Sequence, residues 1–380
     1  MNAQPIRLLG LTLEKVSDFR TQRSAKNAGF YAALDKRFPI EGLVRPAFSH
    51  FDTLYNRVRH FNPDFARWRS QNHVNVWAFK RRTAITERLL RNWDGKYDLI
   101  VQLHTLMAPG LDLRKRPYVL HTDNTYMLSE RYYSGWATLS SRRDRDEWVR
   151  IEGEIYRNAR FLFPRTEILR RSMIEDYGCD PDRVVVVGYG ANFTAPSIEQ
   201  RRYDSQIALF VGIDFKRKGG PGLLKAWPEV RRRLPQARLL IAGPPKPTTP
   251  LPEGVEWLGL IRDRAYLSQL YLQATAFVMP SIYEPSGNVF LEAMGHGTPC
   301  ISTDRGANPE IIDHEQSGLL VPVNEPVPLA SAIVRLLSDP AYAEKLGRQA
   351  YQRVLQGFTW EDVIERMVPH IEQAVSEQGR

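Results

Sequence analysis

Short apolar runs alternate with longer stretches of helical periodicity along the whole chain. The first series covers residues 6–13, 97–104, 117–123, 161–166 and 183–188. Runs this uniformly apolar fit parallel strands covered on both faces, and the intervening lengths fit crossover helices. The rhythm pauses at the polar, proline-containing stretch 192–197 and restarts over 206–212, 237–243, 255–260, 276–281, 299–304 and 318–322. The pattern predicts an α/β protein of two doubly wound, Rossmann-like domains, with 192–197 as the linker and a ligand cleft between the domains. Residues 340–356 and 359–376 read as two amphipathic helices, the second opened by Thr359 with Asp362 in a cap-like position. The expected division is therefore 1–195, 196–358 and a terminal helical segment 359–380.

A length of 380 residues also exceeds what one hydrophobic core usually serves. Charge changes the picture further. Residues 1–195 carry 32 Lys and Arg against 22 Asp and Glu, whereas the remainder holds 20 against 21, so the basic excess sits in the N-terminal half. An anionic partner is expected there. Basic residues crowd between Arg57 and Arg91, including Arg67, Arg69, Lys80, Arg81 and Arg82, with Tyr55, Phe61, Phe65, Trp68, Trp77 and Phe79 interleaved. An anionic membrane surface and a phosphorylated or acidic acceptor both fit; no nucleic-acid motif accompanies the charge, and no nucleic-acid partner is expected. The alternative is that the aromatic residues pack inward and the basic ones form a solvated face. Cys179 and Cys300 are distant in sequence, which argues against a disulfide framework or a cysteine metal site and for a reducing, cytoplasmic setting. The opening segment lacks the features of a signal peptide, so membrane contact is expected to be peripheral, at the cytoplasmic face.

Three segments carry candidate chemistry. In FVMPSIYEPSGNVFLEAMGHGTPCIS, from Phe277, a strand ends in a polar loop and a helix starts near Gly287. First-turn N–H groups and the positive end of the helix dipole suit a diphosphate. Glu284 on the loop and Glu292 on the helix can address different parts of one ligand, Glu292 suiting a ribose diol, although two carboxylates at this spacing also arise as plain surface charge. In LFVGIDFKRKGGPGLL, from Leu209, a loop bearing Lys216, Arg217 and Lys218 precedes a helix, and its cations can neutralise a leaving diphosphate or merely form a solvated turn. In PYVLHTDNT, from Pro117, His121 ends a predicted strand; His104 competes with it, and Asp123 either orients His121 or caps a helix.

No P-loop, HExxH or GxSxG pattern occurs, and the strand-to-helix junctions lack a dinucleotide fingerprint, which removes support for kinase, zinc-protease, hydrolase and redox readings. The segments do occur in an ordered set: Val211–Leu224, IAG at Ile241, the Glu284–Glu292 pair, GTPCIST at Gly297, GANPEII at Gly306, GLLVP at Gly318 and FTWED at Phe358. This set resembles glycosyltransferase family 4, whose members pair two Rossmann-like domains in the GT-B fold and transfer sugars from nucleotide-diphosphate sugars with retention.

The resemblance implies an acceptor-binding N-terminal domain, a donor-binding C-terminal domain and a last helix that crosses back to the first. It further implies that Arg217 and Lys218 bind the donor diphosphate, and that Gly212, Gly287, Asn288, Val289 and Phe290 belong to the donor site, the last four through backbone amides. Glu292 would bind the ribose, Glu284 the donor sugar, and His121 the sugar near the reacting centre. The implied mechanism is front-face, with the leaving phosphate helping to deprotonate the acceptor hydroxyl and no obligatory cofactor or divalent metal; Asp144-Arg-Asp146 and Asp180-Pro-Asp182 are not read as metal sites. Acceptors in view are saccharides, lipid-linked or phosphorylated molecules. The chain departs from the family in its first βα loop, where Gly29 stands alone in place of a glycine-rich stretch, and at Ser286 and Asn288, where many relatives carry Phe and an apolar residue. The competing functions are a nucleotide-sugar epimerase or hydrolase, which would draw on Asp123 and Glu130, and a non-catalytic nucleotide-sugar-binding protein.

Overall fold

The computed structural model describes residues 5–14, 28–133, 135–136, 138–193 and 195–377. They form two compact units, one from the described residues up to Gly190 together with those from Trp360 onward, the other Ala191–Thr359. Each unit is an α/β sheet in which every strand pair is parallel.

The first sheet comprises β1 (Leu8–Leu11), β2 (Ile40–Val44), β3 (Leu99–Leu103), β4 (Tyr118–Thr122) and β5 (Leu162–Pro164), in the order β2-β1-β3-β4-β5. β1, β3, β4 and β5 are buried along their whole length, as the continuous apolar runs required. β2 was not expected from the apolar pattern: its sequence, IEGLV, carries an exposed Glu41 and a glycine, and it lies at the sheet edge.

The apolar run 183–188 is not a full strand. Val185 N and Val187 N donate to Leu162 O and Pro164 O at 2.9 and 3.0 Å, and a single bridge joins Leu162 to Val184. Pro164 has no N–H to return the intervening bond, so the ladder stays one-sided.

The helix Trp360–Ser376 belongs to this first unit. Its Trp360, Val363, Ile364, Met367 and Ile371 join Phe30, Tyr31 and Leu34 of the helix Ala28–Asp35 in one buried cluster. A Cβ added to Gly29 would lie 2.4 Å from the Trp360 ring, so the glycine permits this close approach. Most of the first βα loop, residues 15–27, lies outside the described residues.

The second sheet comprises β6 (Ile207–Val211), β7 (Arg238–Ala242), β8 (Val255–Gly259), β9 (Ala276–Val278), β10 (Cys300–Thr303) and β11 (Gly318–Val321), in the order β11-β10-β9-β6-β7-β8. From β6 the chain winds outward through β7 and β8, then returns to β9 on the other side of β6 and winds outward again. The order therefore reverses between β6 and β9. In open parallel sheets this switch point leaves a crevice beyond the carboxyl ends of the two strands, because their following connections diverge to opposite faces.

Candidate active site

The two loops that leave β6 and β9 at the switch point are two of the three segments with candidate chemistry. After β6, Gly212 leads into a turn that ends at Gly219, and the helix Gly220–Arg233 follows. Gly219 has φ 76°, and a Cβ there would stand 1.8 Å from Pro280 O in the loop after β9, so a side chain would force the two loops apart. Ile282 N also donates to Arg217 O at 2.8 Å, a second tie between the loops.

This pairing brings Arg217, Lys218 and Glu284 together. Arg217 is buried: its Nη1 donates to Tyr283 O at 2.8 Å and to Glu284 Oε2 at 3.2 Å, and its Nε donates to Asp214 Oδ2 at 3.2 Å. Lys218 Nζ lies 3.4 Å from Glu284 Oε2 and 3.2 Å from Met279 Sδ. Glu284 Oε1 accepts from Gly287 N at 3.3 Å. Burial alone would raise the Glu284 carboxyl; the charges of Lys218 and Arg217, with the Gly287 N–H, outweigh it and hold the group below its ordinary range. The outcome is an ionised carboxylate beneath two cations.

Gly287, with φ 57°, caps the helix Asn288–Gly295; Phe290 N already donates to Gly287 O at 2.8 Å, so the N–H groups this helix start offers are those of Asn288 and Val289. Phe290 is buried in the core, while Asn288 and Val289 are half-buried, so the start of this helix is only partly covered. The Asn288 Oδ1 atom is itself buried and has no hydrogen-bond partner among the described residues. Glu292 is held from two sides: Arg264 Nη2 donates to Oε1 at 3.0 Å and Tyr271 OH donates to Oε2 at 3.2 Å. Burial, then the Glu292 charge, keeps the Tyr271 phenol well above its ordinary pKa, so it remains a donor. Each carboxylate oxygen retains a further lone pair for a ligand hydroxyl. Arg264, Tyr271, Asp214 and Met279 were not singled out from the sequence; the first two reach the site from the helix Arg264–Gln273, whereas Asp214 and Met279 lie on the same two loops as Arg217 and Glu284.

His121 lies in the first unit, at the end region of β4, and it is buried. Its ring stacks on Phe30 with centroids 5.2 Å apart, and Trp360 meets it edge-on at 6.3 Å. Nδ1 is 2.8 Å from Phe163 O, and Arg165 Nε donates to Nε2 at 3.3 Å. A carbonyl only accepts, so Nδ1 carries the proton and Nε2 presents a lone pair. Burial, then the Arg165 charge, pushes the imidazole pKa down to about 3, so the ring is neutral. Asp123 pairs with His104 Nδ1 at 3.2 Å, the helix Tyr126–Tyr132 being capped by Thr125. His104 itself has φ 62°, rare for a residue with a side chain.

Glu130 is engaged by Arg145 through two bonds of 2.7 Å. Lys216, the third member of the basic triplet, is exposed, as a solvated turn residue would be. Among the described residues, no group of three or more His, Cys, Asp or Glu is placed to hold a metal ion, and no helix is long and apolar enough to cross a membrane.

Residues 205–339, which contain both loops, match the family model for group 1 glycosyl transferases. The chain is 32% identical over 185 residues to an uncharacterized glycosyltransferase of Methanocaldococcus jannaschii, covering 47% of each. It is 30% identical over 263 residues to the D-inositol 3-phosphate glycosyltransferase of Kineococcus radiotolerans, covering 60% of each. With the glycogen synthase of Mycobacterium tuberculosis it shares 28% over 241 residues, 61% of this chain and 58% of that one. The chain thus spans about half to three fifths of the length of these relatives. Among solved structures, sucrose-phosphate synthase from Thermosynechococcus elongatus matches with a TM-score of 0.70 at 20% identity, over 98% of this chain and 100% of that one. Anabaena Alr3699/HepE in complex with UDP and glucose matches at 0.60 and 16%, over 97% and 99%. At such identity these two likenesses show the fold, which is GT-B. The part of the chain that carries both loops is thus similar in sequence to the group 1 glycosyl transferases.

Proposed function

We propose that the protein is a retaining glycosyltransferase that moves a hexose or related sugar from a nucleotide-diphosphate sugar to an acceptor hydroxyl. The observation that carries this reading is the Lys218–Arg217–Glu284 cluster beside a glycine-capped helix start at the switch point of the second sheet. In this reading the diphosphate lies against Lys218, Arg217 and the N–H groups at the start of the helix, where fixed charges meet the negative charge that grows as the leaving group departs. Glu292 takes the ribose hydroxyls and Glu284 the sugar, and a ligand hydroxyl satisfies the orphaned Asn288 Oδ1. The bond from the sugar's anomeric carbon to phosphate breaks and the bond to the acceptor oxygen forms on the same face, the acceptor proton passing to the leaving phosphate.

His121, neutral and already bonded at both ring nitrogens, enters as a group that shapes the wall of the acceptor domain unless Arg165 releases Nε2. The acceptor is a saccharide, a lipid-linked molecule or a phosphorylated one. The basic excess of the N-terminal half favours an anionic partner, either the acceptor or a membrane surface.

UDP-glucose is the first donor to test, because Anabaena Alr3699/HepE is solved in complex with it. A thermal-shift panel of UDP, GDP, ADP and their glucose conjugates tests the donor site. A ligand at about 100 times its dissociation constant stabilises the native state by roughly 2.7 kcal/mol, so one nucleotide series is expected to raise the melting temperature. A panel in which none does removes the donor-site reading. Within that series, Tyr271→Phe is expected to raise the donor KM about three- to tenfold with kcat little changed, since it loosens a carboxylate that binds donor in ground and transition states alike. An unchanged KM would show that Arg264 alone suffices to orient Glu292.

A further inference from the structure

The helix His50–Arg59 is inverted relative to an ordinary surface helix. Its buried side chains are polar, Asp52 and Asn56, one turn apart. Arg81 Nε donates to Asp52 Oδ1 at 2.7 Å, while Asn56 donates to Asn72 O at 2.8 Å and accepts from Asn75 Nδ2 at 3.0 Å. These bonds fix the polar face inward. The apolar face is thereby turned to solvent: Phe51, Leu54 and Val58 are 77%, 62% and 68% exposed. With Tyr55, which is also exposed, they recur at the spacing of one helix stripe.

Beyond this helix the stripe continues through Phe61 and Phe65, 72% and 68% exposed. Both rings lean on Trp68, with centroids 6.4 and 5.7 Å away, and Trp68 Nε1 donates to Arg57 O at 3.1 Å. Of the aromatics interleaved with the basic run, Phe79 is buried and Trp77 half-buried, but Tyr55, Phe61 and Phe65 face outward. Arg57, Arg59, Arg67 and Arg69 are exposed among them.

We propose that this face docks the protein on an anionic lipid surface, with Phe51, Leu54, Val58, Phe61 and Phe65 seated at the boundary between headgroups and acyl chains. The arginines then lie on lipid phosphates. Charge complementarity selects this occupant. Four exposed arginines border this stripe, the arrangement that an interfacial helix uses to hold apolar side chains in the bilayer and cations at its anionic surface. The inference goes beyond the transferase reading and stands independently of the donor site.

The test is sedimentation of the full chain with vesicles of phosphatidylcholine containing about one third phosphatidylglycerol, against phosphatidylcholine alone. Anionic vesicles are expected to bind at least about tenfold better, and the preference should shrink as salt shortens the Debye length from about 10 Å to about 3 Å. The combined Phe51→Ser, Leu54→Ser and Val58→Ser variant is expected to lose binding at least about tenfold while keeping its melting temperature and its shift with donor nucleotide. A second variant, Arg57→Gln with Arg59→Gln, should weaken binding about fivefold per charge removed. Wild-type protein that stays in the supernatant overturns the proposal, as does a triple variant that sediments like wild type. A concentration-dependent dimer that the triple variant abolishes, without vesicle binding, would assign the face to a second copy instead and overturn it too.

Discussion

Lys218→Ala is expected to lower transfer from a saturating nucleotide-sugar donor about 10²–10³-fold, the scale seen when one preorganised charge is removed from a transition state. The ammonium is held in place by Glu284 and Met279 rather than free in solvent, so it is already oriented when charge develops on the leaving phosphate. Stability should fall by only about 1 kcal/mol, because Glu284 keeps Arg217 and the Gly287 N–H. Measuring kcat together with a thermal melt separates the two effects. Turnover within about threefold of wild type in a well-folded variant would remove Lys218 from the chemistry.

Arg217→Ala is expected to act on the fold as much as on the reaction. The guanidinium is buried and joins Asp214, Tyr283 O and Glu284, so its loss leaves a buried carboxylate with one cation and strips a carbonyl of its partner. Breaking one member of such a buried network costs about 3–5 kcal/mol. The pH dependence has a definite sign. In the wild type the folded Glu284 pKa is depressed, so its contribution is complete above the ordinary carboxylate range and is lost as pH falls through the folded value. In the variant, burial acts against a weaker opposing charge, and protonation relieves the penalty. Denaturant unfolding should therefore show the largest gap between the two proteins near neutral pH and a smaller one as pH falls below about 5. A gap that widens on acidification would mean that Arg217 stabilises the fold through Asp214 and Tyr283 rather than through Glu284.

The parts of this structure that were legible in the sequence are those that local pattern determines. Buried parallel strands such as β3, β4 and β6 are continuous apolar runs, and the helix starting at Asn288 announces itself through Gly287. Edge strand β2 was not legible, since an edge needs no second apolar face and tolerates Glu41. The run after Arg183 has the composition of a strand, but its pairing depends on whether the neighbouring residue can donate, and Pro164 is distant in sequence. At the candidate site, Arg217, Lys218, Glu284 and Glu292 could be proposed because the segments that carry them have recognisable order. Their supports could not: Tyr271 and Arg264 reach Glu292 only through packing of the helix Arg264–Gln273, and nothing near them in sequence marks it. His121 shows the opposite limit. A histidine at a strand end reads as exposed chemistry until Phe30 and Trp360, from both ends of the sequence, close over it.

The return of the chain to its first unit sets an order of assembly. Residues 191–359 are contiguous and enclose their own core, so this unit can complete itself as soon as it has emerged from the ribosome. The unit translated first cannot. Trp360, Val363, Ile364, Met367 and Ile371 are interior residues of its core, and until they arrive Phe30, Tyr31 and Leu34 face water across the gap the last helix will fill. The half made earliest is thus finished latest, and during that interval it is the part of the nascent chain that needs shielding.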